Sequence, residues 1–237
     1  MYNISFYFIL FLIYSIIGWT LEVITSYVRH KKFVNRGFML GPYCPIYGYS
    51  SIIMIFYLNN YKDNALTVFL LAIVICSIVE YLISYIMEKM FSARWWDYSN
   101  RKFNVNGRIC LTNAFFFGLL GLLLVYIVNP LFEDLLSKIN NNILTIIGII
   151  LIIIFISDLI TSLVITFNLK NKIKNLNTDV TEELNEKIKN MLETKILNRR
   201  ILKAYPRYRT NIIKKYSKTK HEIFKDKIEK VKEKIKK

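Results

Sequence analysis

The sequence predicts an all-α, polytopic membrane protein with about five transmembrane helices. Of its residues, 54% are hydrophobic, although the formal net charge is +16. Five apolar segments approach the length of about 20 residues that a helix needs to cross the bilayer core. They contain no Lys or Arg and only three acids. The segments are 5–28, 43–58, 66–87, 113–132 and 143–167, and the acids are Glu22, Glu80 and Asp158.

The first two segments need separate justification as membrane helices. The first lacks a basic amino-terminal region and a small-residue cleavage site, and Glu22 interrupts it, so we expect a retained helix rather than a signal peptide. The second is short and begins near the Gly41-Pro42 pair. It is therefore expected to be tilted, partly re-entrant, or completed by loop residues buried in the bundle. The other three segments are long enough to span.

The distribution of Lys and Arg predicts the orientation. Four of these residues follow the first segment, five follow the third, and 22 lie from residue 168 onward. With five spans, 31 of the 33 fall on one side of the membrane. The positive-inside rule then places the amino terminus outside and the carboxyl terminus in the cytoplasm. We expect a multi-pass protein of the cell membrane.

Two regions are expected along the chain. Residues 1–167 form the transmembrane bundle, with two polar cytoplasmic loops at 29–42 and 89–112. Residues 168–237 form a basic, amphipathic, helical cytoplasmic tail, with 22 Lys and Arg against nine acids. Its helices either pack on each other in solvent, bind anionic lipid headgroups at about 1 kcal/mol per nearby basic group, or bind a partner protein. Nucleic acid is not an expected partner.

The cysteines and histidines predict no cofactor and no metal site. Cys76 lies in the middle of a predicted helix, and Cys44 and Cys110 lie near the predicted cytoplasmic face, which is reducing. The two histidines and the absence of a CxxC spacing do not match a zinc site.

The three intramembrane acids pose the main functional question, because ionisable groups within the membrane are costly and usually functional. In the predicted topology all three lie in the cytoplasmic half. One interpretation is a polar cavity that opens to the cytoplasm and binds a cation, a proton or an amine-bearing substrate. In the other, each acid is neutral or pairs with Arg36 or Arg108 and holds the bundle together. Asp158 favours the structural interpretation, because only hydroxyl residues accompany it.

The first loop combines a fixed backbone path with polar side chains. Asn35 and Arg36 are able to bind a carboxylate or a phosphate. Glycine and proline residues follow them and specify a non-helical path, which is tolerated at membrane depth when it lines a cavity or is buried in protein. A tight turn into the second helix would also need these residues, which are Gly37, Gly41, Pro42, Pro45 and Gly48.

The second loop places further polar residues near the same predicted face. Trp95 and Trp96 are most simply part of an interfacial aromatic belt. The candidate binding residues around and after them are Arg94, Asp97, Asn104, Asn106 and Arg108. Together the two loops would place these groups above an acidic floor formed by Glu22 and Glu80.

Over residues 10–121 the chain resembles the ABC-transporter type IV family of bacterial membrane permeases, of the CmpB type. The resemblance consists of a Gly-Trp-x-x-Glu motif, an Asn-Arg-Gly-Phe-x-x-Gly-Pro-x-x-Pro-Ile-Tyr-Gly element, an acid in the third helix, and two elements in the second loop. Here these are Gly18 through Glu22, Asn35 through Gly48, Glu80, Trp96 through Ser99, and Asn104 through Leu111. The resemblance implies a permease of the bacterial plasma membrane.

Three functional hypotheses follow. In the first, the protein is a transport subunit in which Glu22 and Glu80 bind the cargo; a separate chain would supply the ATPase, because the sequence has no GxxxxGK[ST] motif. In the second, it is a membrane enzyme acting on lipid headgroups or lipid precursors, in which arginines hold a phosphate and Asp97 or Glu22 is the base. In the third, it is a structural or regulatory protein that acts through its basic tail.

Overall fold

The protein is described here by a computed structural model, which covers residues 2–92, 94–174, 200, 204 and 205. The all-α prediction is confirmed, because helices occupy all five predicted segments. Among the described residues, the strands form one short antiparallel hairpin, in which Asn104 pairs with Cys110 and Val105 with Ile109. The elements are α1 (Tyr2–His30), α2 (Pro45–Leu58), α3 (Ala65–Phe91), β1 (Asn104–Val105), β2 (Ile109–Cys110), α4 (Leu111–Leu123), α5 (Asn129–Ser137) and α6 (Asn141–Lys174).

Four helical rods are long and apolar enough to cross a membrane. They are α1, α3, the continuous rod Leu111–Ser137 that contains α4 and α5, and α6. The shorter α2 begins at Pro45 and has 14 residues, a rise of about 21 Å against a hydrocarbon core of about 30 Å. Its predicted shortness is confirmed. The number of crossings, and the side of the membrane on which each loop lies, stay predictions.

The described residues fall into two compact units. The first contains 2–86 and 97–162, and the second contains 87–96 with the described residues from 163 onward. The predicted boundary at residue 167 stays a prediction. Of the predicted helical tail, 168–237, the structure describes residues 168–174, 200, 204 and 205, and the rest of that prediction lies outside the described residues.

Close packing of α1 against α2 organises the first unit. A side chain at Gly18 would overlap the ring of Tyr47, and one at Gly48 would overlap Ser15 and Phe11. These glycines therefore let the two helices approach closely, as small residues do in membrane helix pairs. The backbone N–H of Cys44 donates to the Ser15 carbonyl at 2.9 Å, which fixes the start of α2 on α1.

A π-helical segment, Leu124–Val128, joins α4 to α5. The backbone N–H of Asn129 donates to the carbonyl of Leu124, five residues earlier. Pro130 follows and has no N–H to donate, so the backbone ladder is interrupted there. Insertions of this kind occur often at functional sites.

Aromatic rings pack the second unit. Phe91 is buried and contacts Phe167 at 5.1 Å and Trp95 at 5.5 Å between ring centroids. Trp95 is 4% exposed and also contacts Tyr205 at 4.5 Å. The aromatic-belt interpretation is therefore wrong for Trp95, because its ring is enclosed by protein.

Candidate functional site

Glu22 of α1 is held by a tyrosine from α2. The hydroxyl of Tyr47 donates a hydrogen bond to a carboxylate oxygen of Glu22 at 2.9 Å. The ring of Tyr47 lies against Gly18, one helical turn before Glu22. Because Gly18 has no side chain, the tyrosine can cross α1 closely enough to reach the carboxylate.

Glu80 of α3 is buried, with 6% of its surface exposed. The hydroxyl of Tyr98, in the second loop, donates to its Oε1 at 3.3 Å. Its Oε2 atom is also buried, and no described residue hydrogen-bonds to it. The Glu80 carboxyl group therefore accepts one long hydrogen bond at Oε1, and its Oε2 accepts none from the described residues.

The two glutamates lie within electrostatic range of each other. The negative charge of Glu22 acts on both Glu80 and Tyr98. Burial, and then the charges of Glu80 and Glu22, raise the pKa of Tyr98 well above its ordinary value, so its hydroxyl stays a donor at physiological pH. In the described part of the chain, neither glutamate forms an ion pair with a basic residue. We call Glu22, Tyr47, Glu80 and Tyr98 the glutamate site.

Asp158 of α6 has a different environment. Its carboxylate accepts the backbone N–H groups of Leu40 at 2.9 Å and Gly41 at 2.7 Å. The hydroxyl groups of Tyr43 and Ser162 also donate to it, the latter at 3.0 Å. These donors satisfy both carboxylate oxygens. We call these five residues the aspartate site; it anchors the first loop, which agrees with the structural interpretation of Asp158.

Asn35 supports the path of the first loop. Its Oδ1 accepts the indole N–H of Trp19 at 2.8 Å, and its Nδ2 donates to the Leu40 carbonyl at 3.4 Å. Gly37 has a φ of +101°, a conformation that side chains rarely adopt. Pro42 lies directly after the residues bound by Asp158, and Pro45 begins α2. The fixed path that these residues predict is therefore present.

Three polar residues of the second loop make hydrogen bonds within or beside that loop. Asp97 accepts the backbone N–H of Ser99 at 2.9 Å. Asn104 donates to the carbonyl of Arg101 at 2.8 Å and accepts the N–H of Gly107 at 2.9 Å. Asn106 has a φ of +52° and donates to the Tyr81 hydroxyl at 3.0 Å. These contacts do not join the glutamate site.

Arg108 is buried against α3, with 7% of its surface exposed. Its Nη1 donates to the Ser84 hydroxyl at 3.2 Å, and its guanidinium lies over the rings of Tyr81 and Tyr85 at 5.5 and 5.4 Å. Arg36 is half-buried in the first loop. Arg94 belongs to the second unit and forms an ion pair with Glu88 at 3.0 Å.

Hydrogen bonds connect the sequence motifs to one another. The Gly-Trp-x-x-Glu motif contacts the first-loop element twice, through the Trp19–Asn35 and Glu22–Tyr47 pairs. The second loop reaches α3 through Tyr98. Sequence reasoning identified the two glutamates but not Tyr47 and Tyr98 as their partners. Both tyrosines lie within the sequence motifs, and that position is the signal that could have identified them as partners of the glutamates.

The comparisons with known proteins give one match. The model of the family described as "Putative ABC-transporter type IV" matches residues 9–163 of the chain. No curated protein and no solved structure matches the chain. The matched range contains the glutamate site and the aspartate site.

Proposed function

The chain belongs to the ABC-transporter type IV family, and on that premise we propose that it is a transporter-like membrane subunit whose glutamate site binds a proton or a small cation. The observation that carries this proposal is the buried Glu80 carboxyl group, with a second carboxylate nearby and no basic partner among the described residues. A buried carboxyl group in such surroundings is costly unless it takes up a proton or a cation.

The two tyrosines support a binding role. Each donates to one oxygen of one glutamate, which orients the carboxyl groups without neutralising them. Two acids within electrostatic range of each other repel when both are ionised, so binding of one positive charge relieves the repulsion. The glutamate site is therefore suited to exchange one positive charge at a time.

The proposal also covers the location of this subunit, the access to its glutamate site and its partners. We place the protein in the bacterial plasma membrane, with the glutamate site accessible from the cytoplasm through an inward-facing polar cavity between the two loops. The family name supports an ATPase partner on a separate chain. The basic tail would bind anionic lipid headgroups.

Ion flux in vesicles tests the proposal. The full chain would be reconstituted in liposomes. Flux would be followed with a pH-sensitive dye after a proton gradient is imposed, and with a Na⁺- or K⁺-sensitive dye after a Na⁺ or K⁺ gradient is imposed. Glu22→Gln and Glu80→Gln should each lower the flux at least about tenfold, because the amide cannot exchange a charge. Asp134→Asn is the matched control, because Asp134 is exposed and pairs with Lys138. Wild-type flux in both glutamine variants would sink the proposal.

The ATPase partner needs its own measurement. The tagged chain would be purified from its native membrane in a mild detergent and its partners identified by mass spectrometry. An ATPase at near-stoichiometric yield is the expected result. A chain that purifies alone with one enriched lipid precursor would favour the lipid-enzyme hypothesis instead.

A further inference from the structure

The two loops share a short pattern of exposed residues. Residues 31–33 of the first loop are Lys-Lys-Phe, and residues 101–103 of the second loop are Arg-Lys-Phe. All six side chains are exposed. Among the large hydrophobic side chains that the structure describes, Phe103 is the most exposed, at 78%, and Phe33 is next, at 68%. Neither lies in a helix. We call each run of two basic residues and a phenylalanine a basic–Phe triplet.

The backbone of each triplet includes one residue in a left-handed conformation. The φ angle is +53° at both Lys31 and Phe103. Residues with side chains rarely adopt this conformation, and a bulky residue is among the least suited to it. Such conformations persist where the surrounding structure imposes them, and they cluster at functional sites. Because the exposed ring of Phe103 gains little packing within the protein, its conformation indicates a contact outside it.

Backbone hydrogen bonds hold the second triplet at the end of a long helical rod. The N–H of Arg101 donates to the Tyr98 carbonyl at 2.7 Å, and the N–H of Leu111 donates to the Phe103 carbonyl at 3.3 Å. Leu111 is the first residue of the rod Leu111–Ser137, which is long and apolar enough to cross a membrane. Phe103 therefore lies where this rod would leave the bilayer.

Exposed apolar side chains lead along the helices toward both phenylalanines. On α4, Leu111 and Phe115 are one turn apart, and each is more than half exposed. On α1, the same holds for Ile24 and Val28, and Phe33 follows shortly after the end of that helix. Lipid tails are as apolar as these side chains and would cover such faces. Each triplet therefore continues a lipid-facing surface toward the headgroup layer.

The positive charges of the triplets are not balanced within the loops. Residues 27–36 and 98–110 contain no acid. In the part of the chain that the structure describes, none of the four basic triplet residues forms an ion pair. Both loops lie at one end of the first unit, since Tyr98 acts electrostatically on Tyr47, which follows the first loop. Exposed rings flanked by unpaired positive charges complement an anionic lipid surface.

We infer that the two basic–Phe triplets bind anionic phospholipid headgroups, with each ring in the membrane interface and the basic side chains on the phosphate groups. This contact belongs to the loops of the bundle and is separate from the lipid binding proposed for the tail. It does not depend on ion binding at the glutamate site. An acidic protein partner would match the same charges, but the position of the triplets at helix ends favours the lipid surface.

Quenching of a fluorescent label by lipid tests the contact. Asn100 is exposed beside the second triplet and would be replaced by Cys and labelled in the full chain. The three native cysteines are buried, so the wild type treated with the same label gives the background. The chain would be reconstituted in nanodiscs of phosphatidylcholine with or without phosphatidylglycerol, at a constant fraction of brominated lipid. Quenching should be at least about twofold stronger with phosphatidylglycerol. The excess should shrink in about 1 M salt, where the Debye length is about 3 Å.

Two variants of the labelled chain separate the ring from the charges. Phe103→Asn removes the ring at a φ that Asn tolerates, so the thermal stability should be retained while the quenching falls. Arg101→Gln with Lys102→Gln should abolish the difference between the two lipid compositions and also retain stability. Lys138→Gln is the matched control and should change neither quantity, because the exposed Lys138 follows the far end of the rod that begins at Leu111.

The first triplet is tested in the same way. The label would be placed at His30→Cys, since His30 is exposed, and the ring would be removed in Phe33→Ser. At either loop, equal quenching in the two lipid compositions would overturn the lipid contact there and favour a protein partner. Unchanged quenching in the ring and charge variants would overturn it as well. Loss of stability in Phe103→Asn would make that ring a structural residue. Flux is not measured, so none of these outcomes bears on the glutamate site.

Discussion

The aspartate site and the glutamate site use the same residue types in opposite ways. Each contains a carboxyl group on a long helix and a tyrosine from a neighbouring segment. Asp158 receives four hydrogen bonds, two of them from backbone N–H groups. Glu80 receives one, and its second oxygen has no described partner. The difference separates an acid that anchors the first loop from the acid that we propose binds a proton or a small cation.

The largest expected effect on stability is at the aspartate site. Asp158→Ala leaves two backbone N–H groups of the first loop without an acceptor, and each such loss costs about 1–3 kcal/mol. We expect a total of about 2–4 kcal/mol, because the site is partly exposed to solvent. Thermal unfolding of the purified protein in detergent would measure it.

Ser157→Ala is the control for that measurement. Ser157 is adjacent to Asp158, but its hydroxyl is exposed and donates to the Ile153 carbonyl in its own helix. Equal melting temperatures for Asp158→Ala and Ser157→Ala would contradict the anchoring role.

Gly37→Ala should be the next most destabilising change. At a φ of +101°, a Cβ would also lie 2.9 Å from Cys44 Sγ and 3.3 Å from the Tyr43 carbonyl oxygen. Backbone strain of this kind costs about 1–3 kcal/mol. Gly107→Ala should cost less, because its φ of +67° is in the left-handed region that side chains can occupy. A smaller loss for Gly37→Ala than for Gly107→Ala would show that the first loop is not fixed as described.

A pair of tyrosine variants compares the two sites directly. Tyr43→Phe removes one of four donors to Asp158 and should lower the unfolding free energy by about 1 kcal/mol, with flux unchanged. Tyr98→Phe removes the long hydrogen bond to Glu80. It should lower the flux while changing the unfolding free energy little. Thermal unfolding and flux would be measured on the same preparations of both variants. A loss of flux in Tyr43→Phe, together with a loss of stability but not of flux in Tyr98→Phe, would contradict the assigned roles.

The smallest expected effect on stability is that of Glu80→Gln. The amide oxygen can still accept from Tyr98, and the variant no longer has to desolvate a charge. We expect a stability within about 1 kcal/mol of the wild type. A loss as large as that of Asp158→Ala would make Glu80 a structural residue.

The positions of the helices, and of the two glutamates within them, can be predicted from the sequence because both signals are local. Long uncharged apolar runs define the helices, and an acid within such a run is conspicuous. The aspartate site is different, since the backbone donors of Leu40 and Gly41 lie more than 110 residues from Asp158 in the chain. No local pattern contains that pairing.

The second loop shows why residue type alone does not assign a role. Asp97, Asn104 and Asn106 stay predicted binding candidates. The hydrogen bonds of Asp97 and Asn104 shown here lie within the loop, where Asp and Asn are common turn residues, and Asn106 donates to Tyr81 of α3. Tyr47 and Tyr98 were overlooked as partners because tyrosine is frequent in this chain, with 16 copies, and its polar role depends on the neighbour that it reaches.

Infrared difference spectroscopy tests the central claim most directly. Wild type, Glu80→Gln and Asp158→Asn would be compared in membranes that are cycled between acidic and alkaline buffer, with the carboxylic-acid C=O band as the readout. The account predicts that one titrating component of this band is present in the wild type and in Asp158→Asn and is missing in Glu80→Gln. Identical titrating bands in the wild type and in Glu80→Gln would contradict it.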